Sequence, residues 1–158
     1  MSSEDSIDEL TFTVSGHISK PVDLVYEAVA DPEQLSKYFT TGGAQGRMET
    51  GAEVSWDFHD FPGAFPVQVI NAQRPHRLEF TWAGNHTVDN SRLNRVLFEF
   101  SSVDAGARTK VSISEFSWQP TKAGASAAFD NCEGWASMLA AMKAWMEYGI
   151  NLREGFYK

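Results

Sequence analysis

The last long segment of the chain carries apolar side chains at helical spacing. Between about residues 126 and 153 they recur every three or four positions, as Trp135, Leu139, Met142, Met146 and Ile150. An adjacent row is formed by Met138, Trp145 and Gly149. A helix with such a stripe must pack against another apolar surface. The pattern therefore predicts one long helix that lies on the rest of the domain.

Before that segment, apolar and polar positions alternate, which is the pattern of half-buried strands. It predicts seven strands, at residues 10–18, 45–49, 53–59, 65–73, 77–82, 93–102 and 109–118. The side chains expected to point inward are Val54, Trp56, Phe58, Leu78, Phe80, Trp82, Val96, Phe98, Phe100, Val111 and Ile113. Short connections between consecutive strands favour an antiparallel sheet with one apolar face, which is the surface that the long helix needs.

Two short helices are predicted between the first and second strands. Pro21 stands at a favoured first helical position, and this helix should end at Asp31, because a residue before proline avoids helical backbone. Asp31 then caps a second helix that begins at Pro32 and has Gln34 at the capping-box position. The predicted fold class is α+β, with a curved antiparallel sheet of about seven strands that grips one long C-terminal helix.

Composition narrows the function classes. A chain of 158 residues predicts a single domain, at residues 10–158, after an acidic lead-in at residues 1–9 that we expect to be disordered. The net charge of −8 argues against nucleic acid and membrane as partners. Cys132, the one cysteine, and the lack of a signal-like N-terminus favour the cytoplasm. No histidine has metal-ligand spacing, so we predict neither a metal nor a cofactor.

Ordered motifs over most of the chain carry a family resemblance. They are Lys20-Pro21-Val22, Asp31-Pro32-Glu33, Gly46-Arg47-Met48-Glu49, Gly51, Trp56-Asp57-Phe58, Arg74-Pro75-His76-Arg77-Leu78, Phe80-Thr81-Trp82, Gly106, Thr109, Val111, Ile113 and Cys132-Glu133-Gly134-Trp135. In this order the chain resembles the START-like helix-grip superfamily (SRPBCC, or polyketide cyclase-like), in the branch related to the activator of the Hsp90 ATPase. The resemblance implies a helix-grip fold with a cavity that holds a hydrophobic small molecule, but it does not define an activity.

Glu115 is the one candidate for chemistry. Many relatives carry a histidine at the position that Glu115 occupies, so no role of that histidine can be transferred. The alternation of its strand turns the carboxylate inward, where burial raises its pKa unless an arginine or hydrogen-bond donors stabilise the charge. It could act as an acid or base with Asn94 or Arg92 as polar partners. Alternatively, it is a structural carboxylate paired with an arginine, or it points outward after a register slip.

The candidate ligand-binding side chains are mostly aromatic or flexible, and two of them are polar. They are Trp56, Phe58, Phe80, Trp82, Asn94, Val96, Phe98, Glu115, Trp135, Leu139, Met142 and Met146. They either fill a core or line a cavity, and the sequence leaves both possibilities open. On the other side of the long helix, the row Ala136, Ala140 and Ala144 would allow close approach of a second subunit, so a monomer and a homodimer both remain open.

Three functions follow from these observations. The first is a non-enzymatic domain that binds a hydrophobic or aromatic small molecule between helix and sheet. The second is an enzyme of the cyclase or hydrolase type that uses Glu115. The third rests on the resemblance alone and is a stress-response cochaperone that contacts Hsp90 and stimulates its ATPase.

Overall fold

A computed structural model describes residues 6–84, 86–88 and 92–158. Its elements in chain order are β1 (Leu10–Ile18), α1 (Val22–Ala30), α2 (Pro32–Leu35), β2 (Gly43–Gln45), β3 (Glu53–Asp57), β4 (Phe65–Gln73), β5 (Arg77–Ala83), β6 (Leu93–Val103), β7 (Arg108–Trp118) and α3 (Lys122–Tyr148). The α+β fold class is therefore confirmed. Residues 1–5 of the predicted lead-in lie outside the described residues, and Glu9 accepts a hydrogen bond from Ser117 N at 3.0 Å.

The seven strands form one antiparallel sheet in the order β1-β7-β6-β5-β4-β3-β2. Strand β6 runs through its middle, with β5 on one side and β7 on the other. Val96 of β6 lies opposite both Phe80 and Glu115, and Phe98 lies opposite both Leu78 and Ile113. Because alternate residues of a strand share a face, this register places Glu115 on the same inward face as the core residues.

Helix α3 lies across β1 and β7 with Trp135, Met138, Leu139 and Met142 buried. It begins at Lys122, four residues before the predicted start, because Thr121 Oγ1 accepts a hydrogen bond from Gly124 N at 3.0 Å and caps the first turn. The predicted end at Arg153 is wrong. Gly149 has a left-handed φ of 69° and ends the helix after Tyr148. Ile150 is consequently 52% exposed and does not belong to the buried stripe.

Two predicted strands have bounds that differ from the observed ones by more than one residue, and β5, β6 and β7 differ by one residue each. Strand β2 is Gly43–Gln45 rather than residues 45–49, because the φ of Gly46 is 93° and Met48 N bonds to Ala30 O at 3.1 Å instead of a strand. Strand β3 ends at Asp57 rather than at residue 59. The Asp57 carboxylate accepts hydrogen bonds from Phe58 N (2.8 Å) and Gly63 N (3.0 Å), which turn the chain out of the sheet.

The inward face of the sheet is covered by α1, α2 and α3. At the α1 end the interior is filled, with Phe100 2% exposed and the Tyr26 ring edge-on to it at 5.4 Å. Asp31 caps α2 as predicted, through Glu33 N at 3.0 Å. Among the described residues, no helix is both long and apolar enough to cross a membrane.

Candidate functional site

Glu115 lies on the inward face of β7 and has no exposed surface. It follows Val111 and Ile113, which are also fully buried, so the predicted alternation continues to this position. Val111 lies opposite Phe100 of β6, and Glu115 is the last residue of the inward row that starts there. The apolar row on β7 therefore ends in a carboxylate.

Three neutral N–H groups bind the Glu115 carboxylate. Trp82 Nε1 of β5 donates to Oε2 at 2.7 Å, and Trp135 Nε1 of α3 donates to Oε1 at 3.0 Å. Asn131, one turn before Trp135, donates from Nδ2 to Oε1 at 3.0 Å. The carboxylate thus joins three elements, β5, β7 and α3.

No arginine or lysine is among these partners, so the predicted pairing with an arginine is not what the structure shows. Burial raises the pKa of Glu115 above its ordinary value, while the bonds from Asn131, Trp82 and Trp135 oppose that rise. The burial effect is larger. The side chain therefore holds a proton to a higher pH than an exposed glutamate does.

Neither polar partner predicted for Glu115 is among its hydrogen-bond donors. Asn94 is buried, but its Nδ2 donates to Phe116 O at 2.9 Å, and its Oδ1 has no hydrogen-bond partner among the described residues. Arg92 is exposed, with a left-handed φ of 60°. The predicted constellation of Glu115 with Asn94 or Arg92 does not form.

A cavity of about 430 Å³ lies in front of the two tryptophans that bind Glu115. Its aromatic wall consists of Phe39, Phe58, Phe61, Trp82, Trp135 and Tyr157. The remaining wall residues are Asp130, Asn131, Glu133, Gly134, Ser137, Met138 and Arg153. Glu115 is not one of them, because its hydrogen-bond donors stand between it and the cavity. The site is therefore an aromatic cavity with a buried carboxylate behind its wall.

The indole rings of the wall are held in a fixed arrangement. The ring centres of Trp82 and Trp135 are 5.2 Å apart, and Phe39 stacks on Trp135 at 5.7 Å. Since both indole N–H groups point at Glu115, the carboxylate sets the orientation of the rings that face the cavity. Its role in the geometry is that of a positioning residue.

Residues 149–158 follow α3 and close one side of the cavity. Arg153 is only 7% exposed and forms a bidentate ion pair with Asp60, with Nη–Oδ distances of 2.6 and 2.9 Å. Its hydrogen bonds and charge lower the pKa of Asp60. Tyr157 Oη donates a hydrogen bond to Ser137 Oγ at 3.1 Å, which ties the segment back to α3.

The structure separates the predicted ligand-binding residues into two groups. Phe58, Trp82 and Trp135 lie in the cavity wall. The others lie outside it, either in the packed interior or beside it, as Trp56, Phe80, Asn94, Val96, Phe98, Glu115, Leu139, Met142 and Met146. A role of any of these residues in ligand binding stays a prediction.

Several wall residues were not predicted from the sequence. Phe61, Arg153 and Tyr157 come from irregular segments, where no periodicity indicates which way a side chain points. Asn131 could have been predicted from the sequence, because it precedes Trp135 by four residues and so lies on the same helix face. Among the residues that the structure describes, no group of His, Cys, Asp or Glu side chains could hold a metal ion.

Comparison with known proteins places this chain in a family. Residues 19–147 match the family described as Activator of Hsp90 ATPase homolog 1-like protein, which covers most of the chain. The chain belongs to this family, and the resemblance predicted from its motifs is confirmed. No curated protein matches the sequence.

Solved structures share the fold. Protein SSP2350 from Staphylococcus saprophyticus is 19% identical with a TM-score of 0.75, over 91% of this chain and 96% of its own. The Aha1 dimer from Colwellia psychrerythraea is also 19% identical, with a TM-score of 0.70 over 89% and 98% of the two chains. DynU16, described as a putative protein in the dynemicin biosynthetic locus, is 25% identical with a TM-score of 0.71. That match covers 94% of this chain but only 50% of DynU16.

Proposed function

We propose that this protein binds a hydrophobic small molecule in the cavity between α3 and the sheet. The observation that carries the proposal is the cavity of about 430 Å³ with six aromatic side chains in its wall. Small-molecule sites are typically concave, mostly apolar and of about 300–1,000 Å³, with a few polar groups that orient the ligand. Asn131 and Ser137 supply such groups here.

The surroundings of the cavity support a preformed site. Glu115 fixes Trp82 and Trp135 from behind, and the ion pair between Arg153 and Asp60 holds the opposite side. A wall that is already ordered loses little conformational entropy when a ligand binds. The family agrees with a ligand-binding domain at this coarse level.

The test is a cavity-filling substitution, Gly134→Leu. Gly134 lies in the wall on α3, and a Cβ added there would have no atom within 4 Å. Leucine therefore extends into the empty space, and in the middle of a helix it is favoured over glycine by about 0.5–1 kcal/mol. Binding of the neutral apolar probe N-phenylnaphthylamine, followed by its fluorescence, should weaken by about tenfold or more, which is about 1.4 kcal/mol.

The matched control is Ala140→Leu, which adds the same side chain on an exposed position of the same helix. It should leave probe binding unchanged, and urea unfolding should show that both variants remain folded. If the unsubstituted protein does not bind the probe, or if Gly134→Leu binds it as well as Ala140→Leu does, the cavity is not the binding site.

The geometry gives less support to an enzyme that uses Glu115. A general acid or base must reach the proton that it transfers, directly or through one water. Glu115 has no exposed surface, and all three of its hydrogen bonds are to side chains that shield it from the cavity. We therefore assign Glu115 a positioning role in the proposed function.

The remaining predictions are not needed for the proposal. A contact with Hsp90 rests on the family description and on the neighbour named Aha1, and it stays a prediction. The name of that neighbour describes a dimer, but for this chain the monomer and the homodimer both stay open. A cytoplasmic location also stays a prediction.

A further inference from the structure

Two cations of the chain already lie against aromatic rings of the cavity. The Arg153 guanidinium carbon is 5.2 Å from the centre of the Phe58 ring and 4.9 Å from that of Tyr157. Lys158 Nζ is 4.4 Å from the centre of the Phe61 ring. All three rings are wall residues. The faces of this wall therefore accept positive charge, as the negative faces of aromatic rings do in general.

Both charged side chains that α3 contributes to the cavity wall are negative. Asp130 and Glu133 lie in the wall on α3, and neither forms an ion pair with any residue that the structure describes. Glu115 behind the wall is bound by neutral donors only. Arg153 contributes little net charge, because both of its terminal nitrogens are paired with Asp60.

The two wall carboxylates lie on the same side of α3 as Gly134, where the cavity is open to the helix. Position 134 lies four residues after 130 and three before 137, and position 133 lies three after 130 and four before 137, so these positions share one side of the helix. Gly134 at the centre of this row leaves room for a ligand to approach the helix. A positive group on a ligand that packs against the aromatic wall could then reach Asp130 or Glu133.

We infer that the ligand is an aromatic organic cation, a flat ring system that carries a protonated amine. The ring system packs against Trp82 and Trp135, and the ammonium group lies near Asp130 and Glu133. An anionic ligand would need an available cation in the wall. The Arg153 guanidinium in the wall is committed to Asp60, and Lys158, which lies against the Phe61 ring, is not itself a wall residue. This inference rests on the proposed function, since it names the class of ligand for the same cavity.

The experiment compares three ligands with the same ring and different charge: naphthylmethylamine, naphthylmethanol and naphthoate. Their affinities for the intact protein are measured by isothermal titration calorimetry near neutral pH and at low salt. We expect the amine to bind about tenfold more tightly than the alcohol, and the carboxylate to bind most weakly. In the double variant Asp130→Asn/Glu133→Gln the amine should lose its advantage, while the affinity for the alcohol stays the same.

The control is Asp23→Asn/Glu53→Gln, which changes the net charge equally at exposed positions on α1 and β3. It should preserve the preference for the amine. Three results would overturn the inference while leaving the proposed function standing: equal binding of all three ligands, tightest binding of naphthoate, or an amine preference that survives in Asp130→Asn/Glu133→Gln. If none of the three ligands binds while N-phenylnaphthylamine does, the inference fails and the proposed function stands; if N-phenylnaphthylamine does not bind either, both fail.

Discussion

Two glutamates at different places in the molecule accept the same number of N–H bonds from different kinds of donor. Glu27 of α1 accepts two from Arg47, both at 2.7 Å, and one from Arg74 at 2.8 Å. Glu115 accepts three from Trp82, Asn131 and Trp135. The donors of Glu27 are charged and those of Glu115 are neutral. This difference decides what each carboxylate contributes.

The pKa values move in opposite directions as a result. The hydrogen bonds and charges of Arg47 and Arg74 outweigh burial and lower the pKa of Glu27 to about 2. Burial raises the pKa of Glu115 because no cation compensates for it. Glu27 ties α1 to the β2–β3 and β4–β5 connections. Glu115 instead orients two indole rings beside the cavity, and its hydrogen-bond donors carry no positive charge.

The largest expected effect is that of Glu115→Ala on stability. It leaves two indole N–H groups and one amide without an acceptor, and each buried unsatisfied donor costs about 1–3 kcal/mol unless water from the cavity reaches it. We expect the free energy of unfolding to fall by about 2–4 kcal/mol in urea titrations. The control Glu99→Ala, an exposed glutamate on β6, should change it by less than about 0.5 kcal/mol. Equal stability of the two variants would show that Glu115 does not hold the wall.

A smaller effect is expected for Glu27→Gln. Arg47 and Arg74 are 38% and 52% exposed, so water can solvate them once the carboxylate is lost. We expect a loss of about 1–2 kcal/mol in the free energy of unfolding, because charge-assisted bonds of this kind are partly screened.

The matched control is Glu49→Gln. Its carboxylate is 70% exposed and lies 3.6 Å from Arg47 Nε, so its loss should cost less than about 0.5 kcal/mol. A larger loss of unfolding free energy in Glu27→Gln than in Glu115→Ala would contradict this contrast between the two glutamates.

The sequence could predict the fold and the inward direction of Glu115, because both depend on local periodicity. The alternation through Val111, Ile113 and Glu115 determines the face of each side chain once β7 is a strand. The helix stripe likewise required a partner surface. Periodicity could not predict element ends that depend on special backbone geometry. The positive φ angles of Gly46 and Gly149 end β2 and α3.

The candidate site was harder to predict for two physical reasons. Whether Phe80 and Phe98 fill the interior or line a cavity depends on how closely the side chains of different elements pack against them in the tertiary structure. Here both are fully buried. The wall also takes Phe61 and Tyr157 from segments without regular structure. The donors of Glu115 come from another strand and from α3, so only the tertiary fold brings them together.

The smallest effect, and the most direct test of the comparison, is on the pH dependence of stability. The folded pKa of Glu27 is below its ordinary value of 4.5, so its contribution is present above that pH and is lost as the pH falls towards about 2. The folded pKa of Glu115 is above 4.5, so its contribution is present below that pH and is lost as the pH rises through the raised value. Urea titrations of the unsubstituted protein, Glu27→Gln and Glu115→Gln from about pH 3 to about pH 8 should therefore show differences of about 1 kcal/mol that change in opposite directions. If both differences shrink towards acid, Glu115 is stabilised as an anion, and the contrast in donor charge does not control the two sites.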